Sequence, residues 1–191
     1  MKERNIALIG FRATGKSTVG EILARRLGME FIDMDRRLTS EADLDIAAWV
    51  RRDGWNSFRK AESDLLGRIG SQNGLVVATG GGIVLDERSR GVLREDFFTV
   101  WLKATPGTIY ARLTSDPGSA ETRPPLSSLP MREEIEKVLC ERQPLYARSA
   151  DAEIDTEGKT ATQIAGEIAA CFSKIQRGGA EVRDRGPDRL K

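Results

Sequence analysis

The run Gly10-Phe11-Arg12-Ala13-Thr14-Gly15-Lys16-Ser17-Thr18 has the residue types and spacing of a loop that cradles a polyphosphate. Its glycines let backbone N–H groups close around an anion. The start of the following helix adds partial positive charge at the same place. Lys16 has the reach for the outer phosphates of a nucleoside triphosphate, and the Ser17 hydroxyl suits a magnesium ion. The flanks agree with this reading. Ile6-Ala7-Leu8-Ile9 reads as a buried strand, and Val19, Ile22, Leu23 and Leu27 recur as one face of a helix. A glycine turn that merely precedes a helix needs neither the full spacing nor both flanking elements. The sequence therefore points to a nucleoside-triphosphate binder.

Whether water or a second substrate receives the phosphoryl group depends on other residues. Asp33 and Asp35, in Phe31-Ile-Asp-Met-Asp35, close a second candidate strand. Side chains two apart on a strand share a face, so both carboxylates can point into the crevice beyond the strand ends, where open α/β sheets bind ligands. One can hold hydrated magnesium while the other orients and deprotonates an attacking hydroxyl. Two aspartates capping the next helix satisfy the same spacing. Gly80-Gly81-Gly82 follows a third apolar strand and permits either close backbone approach to a ligand or a flexible turn. Arg59 stands three residues before Glu62 on a helical pattern, where a carboxylate can lock its guanidinium. Arg123 and Arg142 are further candidates, since a planar guanidinium suits carboxylate or phosphate, although each taken singly also fits a solvated surface charge.

The elements that must position these groups alternate along the chain. Candidate strands are Asn5–Ile9, Glu30–Asp33, Leu75–Ala78, Phe97–Leu102 and Ala152–Ile154, and helical patterns cover 16–27, 41–53, 56–70, 106–114, 131–149 and 160–175. That alternation predicts a parallel sheet with helices on both faces. Thr105 before Pro106, and Thr160 with Gln163, read as helix caps. Ser115–Leu129 is rich in Pro, Ser, Gly and Thr without an apolar period, which suggests a long functional lid. The stretch 177–191 reads as a frayed charged tail. At 191 residues the chain fits a single α/β domain, here expected over 1–176, and its formal charge of +1 gives no field to recruit nucleic acid or membrane. The sequence pI is about 7.7. No apolar stretch reaches transmembrane length, and the N-terminal residues lead straight into a core strand without a signal-peptide pattern. Two cysteines, Cys140 and Cys171, are too few for a disulfide framework, so a cytoplasmic location is expected. Histidine is absent, which leaves acid–base chemistry to carboxylates or lysine.

These signatures in this order resemble the shikimate kinase family of nucleoside-monophosphate-kinase-like P-loop proteins. The resemblance spans about Asn5 to Ile175. It rests on Gly10–Thr18, Asp33-Met-Asp35, Gly54…Phe58-Arg59…Glu62, Ala78-Thr-Gly80-Gly81-Gly82, Arg123-Pro and Arg142…Pro144-Leu-Tyr146. It implies a three-layer α/β sandwich with a five-stranded parallel sheet and a mobile lid. The implied activity is ATP- and Mg2+-dependent phosphorylation of the 3-hydroxyl of shikimate, in aromatic amino-acid biosynthesis. By position, Ala13, Thr14, Gly15, Lys16, Ser17 and Thr18 would bind ATP, and Arg112 would lie near the adenine. Ser17 and, through water, Asp33 would hold magnesium. Asp35 would bind the acceptor hydroxyls and act as base. Arg59, Arg142 and Gly80, Gly81 and Gly82 would form the acceptor site, with the arginines on the carboxylate, and Arg123 would close over the transferring phosphoryl group. The expected enzyme is a monomer with a small-molecule substrate and neither a nucleic-acid nor a membrane partner.

Three positions depart from the family pattern. Trp55 stands where an acidic residue usually follows the glycine of Gly-x-x-x-Phe-Arg. Trp49-Val50 replaces an Ile-Phe pair, and Arg123 is followed by Pro124-Pro125-Leu126 rather than Pro-Leu-Leu. Two alternatives remain beside the family activity: a kinase for another small polyol acid such as gluconate, and a binding module of the same fold without turnover.

Overall fold

The computed structural model describes residues 4–115 and 124–178. Its strands β1 (Asn5–Ile9), β2 (Glu30–Asp33), β3 (Leu75–Ala78), β4 (Phe97–Lys103) and β5 (Ala152–Asp155) form one parallel sheet in the order β2-β3-β1-β4-β5. The helices are α1 (Lys16–Leu27), α2 (Met34–Ala42), α3 (Ile46–Gly70), α4 (Glu87–Asp96), α5 (Pro106–Ser115), α6 (Met131–Ser149) and α7 (Ala161–Gly178), with a 3-10 turn at Ile83–Leu85.

Strand alternation divides the core in two. Ala7 and Ile9 of β1, Leu75 and Val77 of β3, and Phe97 and Trp101 of β4 face one cluster, closed by Leu65, Leu66 and Ile69 of α3, Leu93 of α4 and Ile135 and Leu139 of α6. Ile6, Leu8, Val76, Phe98, Val100 and Leu102 face the other, closed by Val19 and Leu23 of α1 and Ile164, Ile168 and Phe172 of α7. Strands buried on both faces read as unbroken apolar runs, which is why they were legible. The result is the three-layer architecture expected. No helix among the described residues is long and apolar enough to cross a membrane.

The expected helices need correction at two places. The helix expected over 41–53 is instead two. Helix α2 starts at Met34 directly after β2, capped by the Asp33 side chain, which accepts from the Arg36 N–H at 3.1 Å. Helix α3 then starts at Ile46, capped by Asp45. Only Met34 and Leu38 of α2 are buried, and the rest of its sequence is mostly polar and charged, so little apolar content marks the element. Within α3, Gly54 adopts φ 78°, a left-handed value that interrupts the helix between its two halves. Helix α4 was not anticipated either. Its sequence is mostly charged, and its local signal is the Asp86 cap, which accepts from the Ser89 N–H at 2.8 Å. The remaining cap expectations hold. Thr105 Oγ1 accepts from the Thr108 N–H, and Thr160 and Gln163 exchange backbone-to-side-chain bonds at 2.8 and 3.3 Å. Of the expected tail, 177–178 complete α7, and 179–191 lie outside the described residues.

Candidate active site

The loops after β1, β2 and β3 open on one crevice of about 470 Å³ at the C-terminal edge of the sheet. Ala13, Thr14, Gly15, Lys16, Ser17 and Thr18 line it together with Asp33, Asp35, Arg59, Gly80, Gly81, Gly82, Arg112 and Arg142. Arg123 lies outside the described residues, as does the 116–123 part of the expected lid. The chain as a whole is nearly neutral, yet Arg12, Lys16, Arg59, Arg112, Arg142 and Lys159 line the crevice against only Asp33, Asp35 and Glu62. A cationic cleft with low-dielectric walls attracts polyphosphates and carboxylates.

Lys16 is nearly buried, and its ammonium donates to the Gly10 and Phe11 carbonyls at 2.8 and 2.7 Å. The Thr14 hydroxyl donates to the Phe11 carbonyl, and the Arg112 guanidinium reaches the Ala13 carbonyl at 3.1 Å. The phosphate-binding loop is thus braced from within and from α5.

Asp33 and Asp35 do share the crevice, but not by strand alternation. Strand β2 ends at Asp33, and Asp35 sits in the first turn of α2. Asp33 is the helix cap, and it also reaches the phosphate-binding loop. One carboxylate oxygen caps α2 while the other accepts the Ser17 hydroxyl at 2.5 Å. Asp35 is not the cap, and its carboxylate lines the crevice next to Gly80.

The triple glycine is where side chains press closest to backbone. A Cβ on Gly80 would lie 2.0 Å from Glu62 Oε1 and 3.1 Å from Asp35 Oδ1, and one on Gly82 would lie 2.2 Å from the Arg59 guanidinium carbon. A side chain at either position would force the Glu62 carboxylate or the Arg59 guanidinium to move. The Gly81 carbonyl between them accepts from Arg142 at 3.0 Å and from the Tyr146 hydroxyl at 2.5 Å. Burial pushes the Tyr146 hydroxyl up to about 12, so it stays protonated as a donor.

Arg59 forms the expected ion pair with Glu62, which is fully buried and whose Oε1 has no hydrogen-bond partner among the described residues. Burial pushes the Glu62 carboxyl up to about 7. The Arg59 charge opposes this, and Asp35 adds to it. A carboxyl raised above the ordinary 4.5 of the unfolded chain binds a proton more tightly when folded. Its stabilising contribution is therefore complete below about pH 4.5 and is lost as pH rises through about 7. The melting temperature of Glu62→Gln should accordingly fall less than that of the unsubstituted protein between about pH 5 and about pH 8. Parallel profiles would show that Glu62 does not titrate in this window.

The sequence reading singled out neither Arg12 nor Lys159, which line the crevice, nor Glu134, which supports it from α6. Glu134 on α6 is buried, pairs with Arg12 of the phosphate-binding loop, and accepts the Leu126 and Ser127 N–H groups at 2.8 and 2.7 Å. It ties the end of the expected lid, at Leu126 and Ser127, to the nucleotide loop. The signal was present: Glu134, Val138, Arg142 and Tyr146 recur every four residues on one buried face of α6, and two of them are charged. Charges on a core-facing stripe are held there by partners.

The sequence matches the shikimate kinase family model over residues 12–173. It is similar to shikimate kinases from Nitratidesulfovibrio vulgaris, 45% identical over 76% of this chain and 82% of that protein, and from Geobacter sulfurreducens, 41% identical over 91% and 93%. A solved shikimate kinase from Acinetobacter baumannii, in complex with shikimate, superposes with a TM-score of 0.84 at 30% identity, covering 90% of this chain and 94% of that one. The chain belongs to the shikimate kinase family, whose reaction is the ATP-dependent phosphorylation of shikimate.

Proposed function

We propose that the crevice transfers the γ-phosphoryl group of ATP to the 3-hydroxyl of shikimate, with Asp35 as base and Arg59 and Arg142 on the acceptor carboxylate. Family membership gives the activity, and the arrangement of the crevice supports this division of labour. The observation that carries it is the convergence of Asp35, Arg59 and Arg142 on the Gly80–Gly82 backbone, beside the phosphate-binding loop.

In this reading the loop N–H groups and Lys16 hold the phosphates, and Arg112, Lys159 and Ile164 line the same crevice on the nucleoside side. Asp35 orients the 3-hydroxyl and takes its proton as that oxygen attacks the γ-phosphorus, while the bond to the β-bridging oxygen breaks and ADP leaves. Arg59 and Arg142 fix the ring through its carboxylate, a task suited to planar cationic forks. Arg123 keeps the role that the family resemblance implies, closing over the transferring group against water.

The Ser17 hydroxyl and the Asp33 carboxylate, 2.5 Å apart, are hard oxygen donors suited to Mg2+, which takes its other ligands from phosphate and water. Ser17 would hold the ion directly and Asp33 through water, and the ion would neutralise charge on the phosphates. Among the described residues no three His, Cys, Asp or Glu side chains gather to form a separate metal site.

A gluconate kinase and a binding module without turnover are both less favoured. Lys16 and Asp35 are intact, and Arg59 and Arg142 meet at the triple glycine. ADP release measured with each acceptor tests this. Shikimate should raise ATP turnover far above the rate in water, whereas gluconate and nucleoside monophosphates should not. Equal stimulation by a nucleotide or by gluconate would overturn the substrate assignment.

A further inference from the structure

We propose that Trp55 is a positioning residue for the acceptor, its indole ring serving as the seat that orients the Arg59 guanidinium toward the substrate carboxylate. This rests on the reading of Arg59 as a carboxylate grip. The break at Gly54 places Trp55 at the start of the second half of α3, one helical turn before Arg59. Both side chains line the crevice, and the Arg59 guanidinium carbon lies 4.9 Å from the centre of the Trp55 ring, closer than the 5.7 Å to Phe58. Trp55 is itself held edge-on against Phe58 at 6.0 Å.

Among the described residues, Glu62 is the only hydrogen-bond partner of Arg59. A single pairing at one nitrogen lets a guanidinium swing. A flat aromatic contact removes that freedom without consuming any of the N–H donors the carboxylate needs. Trp55 gives this chain an orienting surface that leaves the fork available.

The test compares Trp55→Leu, which keeps apolar bulk without the π face, with Trp55→Phe, which restores it. Trp55→Leu should raise the shikimate KM about five- to tenfold, the range of a partly desolvated cation–π contact. Its kcat should stay within about twofold, with the ATP KM unchanged. Trp55→Phe should recover most of the loss. With the carboxamide of shikimate as acceptor, Trp55→Leu and the unsubstituted enzyme should behave alike, because Arg59 then has no carboxylate to meet. If Trp55→Leu does not fold, Trp55→Met makes the same comparison. An unchanged KM, a Phe variant as impaired as Leu, or an equal penalty on the carboxamide would each overturn the proposal. Arg59→Gln keeps the two levels apart. An unchanged shikimate KM in that variant removes the grip itself, whereas a raised KM beside a normal Trp55→Leu enzyme removes only the role of Trp55.

Discussion

Asp35→Asn is expected to lower turnover by about 10²–10⁴-fold, the usual worth of general-base assistance, while ATP affinity and melting temperature stay near those of the unsubstituted enzyme. The substitution keeps the shape and removes the basic oxygen. Helix α2 does not depend on it, because Asp33 alone accepts the capping N–H. Asp33→Asn makes the contrast. Its amide oxygen can still cap, so the fold is retained, but the anion beside Ser17 is gone. The expected defect is a raised magnesium requirement, partly rescued by more metal. Turnover as a function of magnesium, together with ATP affinity and melting curves on both variants, separates the roles. A folded Asp35→Asn enzyme with normal turnover would remove Asp35 from the chemistry.

A second large effect is expected from a methyl group that touches no substrate. Arg59→Gln should raise the shikimate KM at least about 30-fold, since losing one partner of a desolvated charge pair costs about 2–5 kcal/mol. Gly82→Ala should reproduce that acceptor defect with the arginine still present. Its Cβ would fall 2.2 Å from the guanidinium carbon, and the guanidinium is the part able to move. The ATP KM should change little in either variant, because the phosphate-binding loop is untouched. A normal shikimate KM in Gly82→Ala would mean that the Arg59 position is not what the acceptor site depends on.

What could be read from the chain alone was whatever is encoded locally. The buried strands announced themselves as apolar runs, and the phosphate-binding loop was fully specified by nine contiguous residues. Arg59 and Glu62 were legible as a pair because helical geometry brings residues three apart together. Asp33 was legible only as a choice between capping and ligation; it caps α2 and also accepts the Ser17 hydroxyl. Helices α2 and α4 were not legible, because their sequences are mostly charged and polar with very few apolar side chains to mark a buried face.

Tertiary structure decided whatever depends on residues distant in sequence. Only the sheet order brings the ends of β1, β2 and β3 to one crevice, so that Gly80 and Gly82 face side chains from α2 and α3. Only the packing of α6 sets Arg142 and Tyr146 on the Gly81 carbonyl, and joins Glu134 to Arg12 across 122 residues. Composition showed a nearly neutral chain, and folding brought six of its 30 lysines and arginines around one cleft. The physical reason is range. Propensity and periodicity act over a helical turn or a strand, whereas the shape and charge of a crevice are set by which loops the core forces to meet.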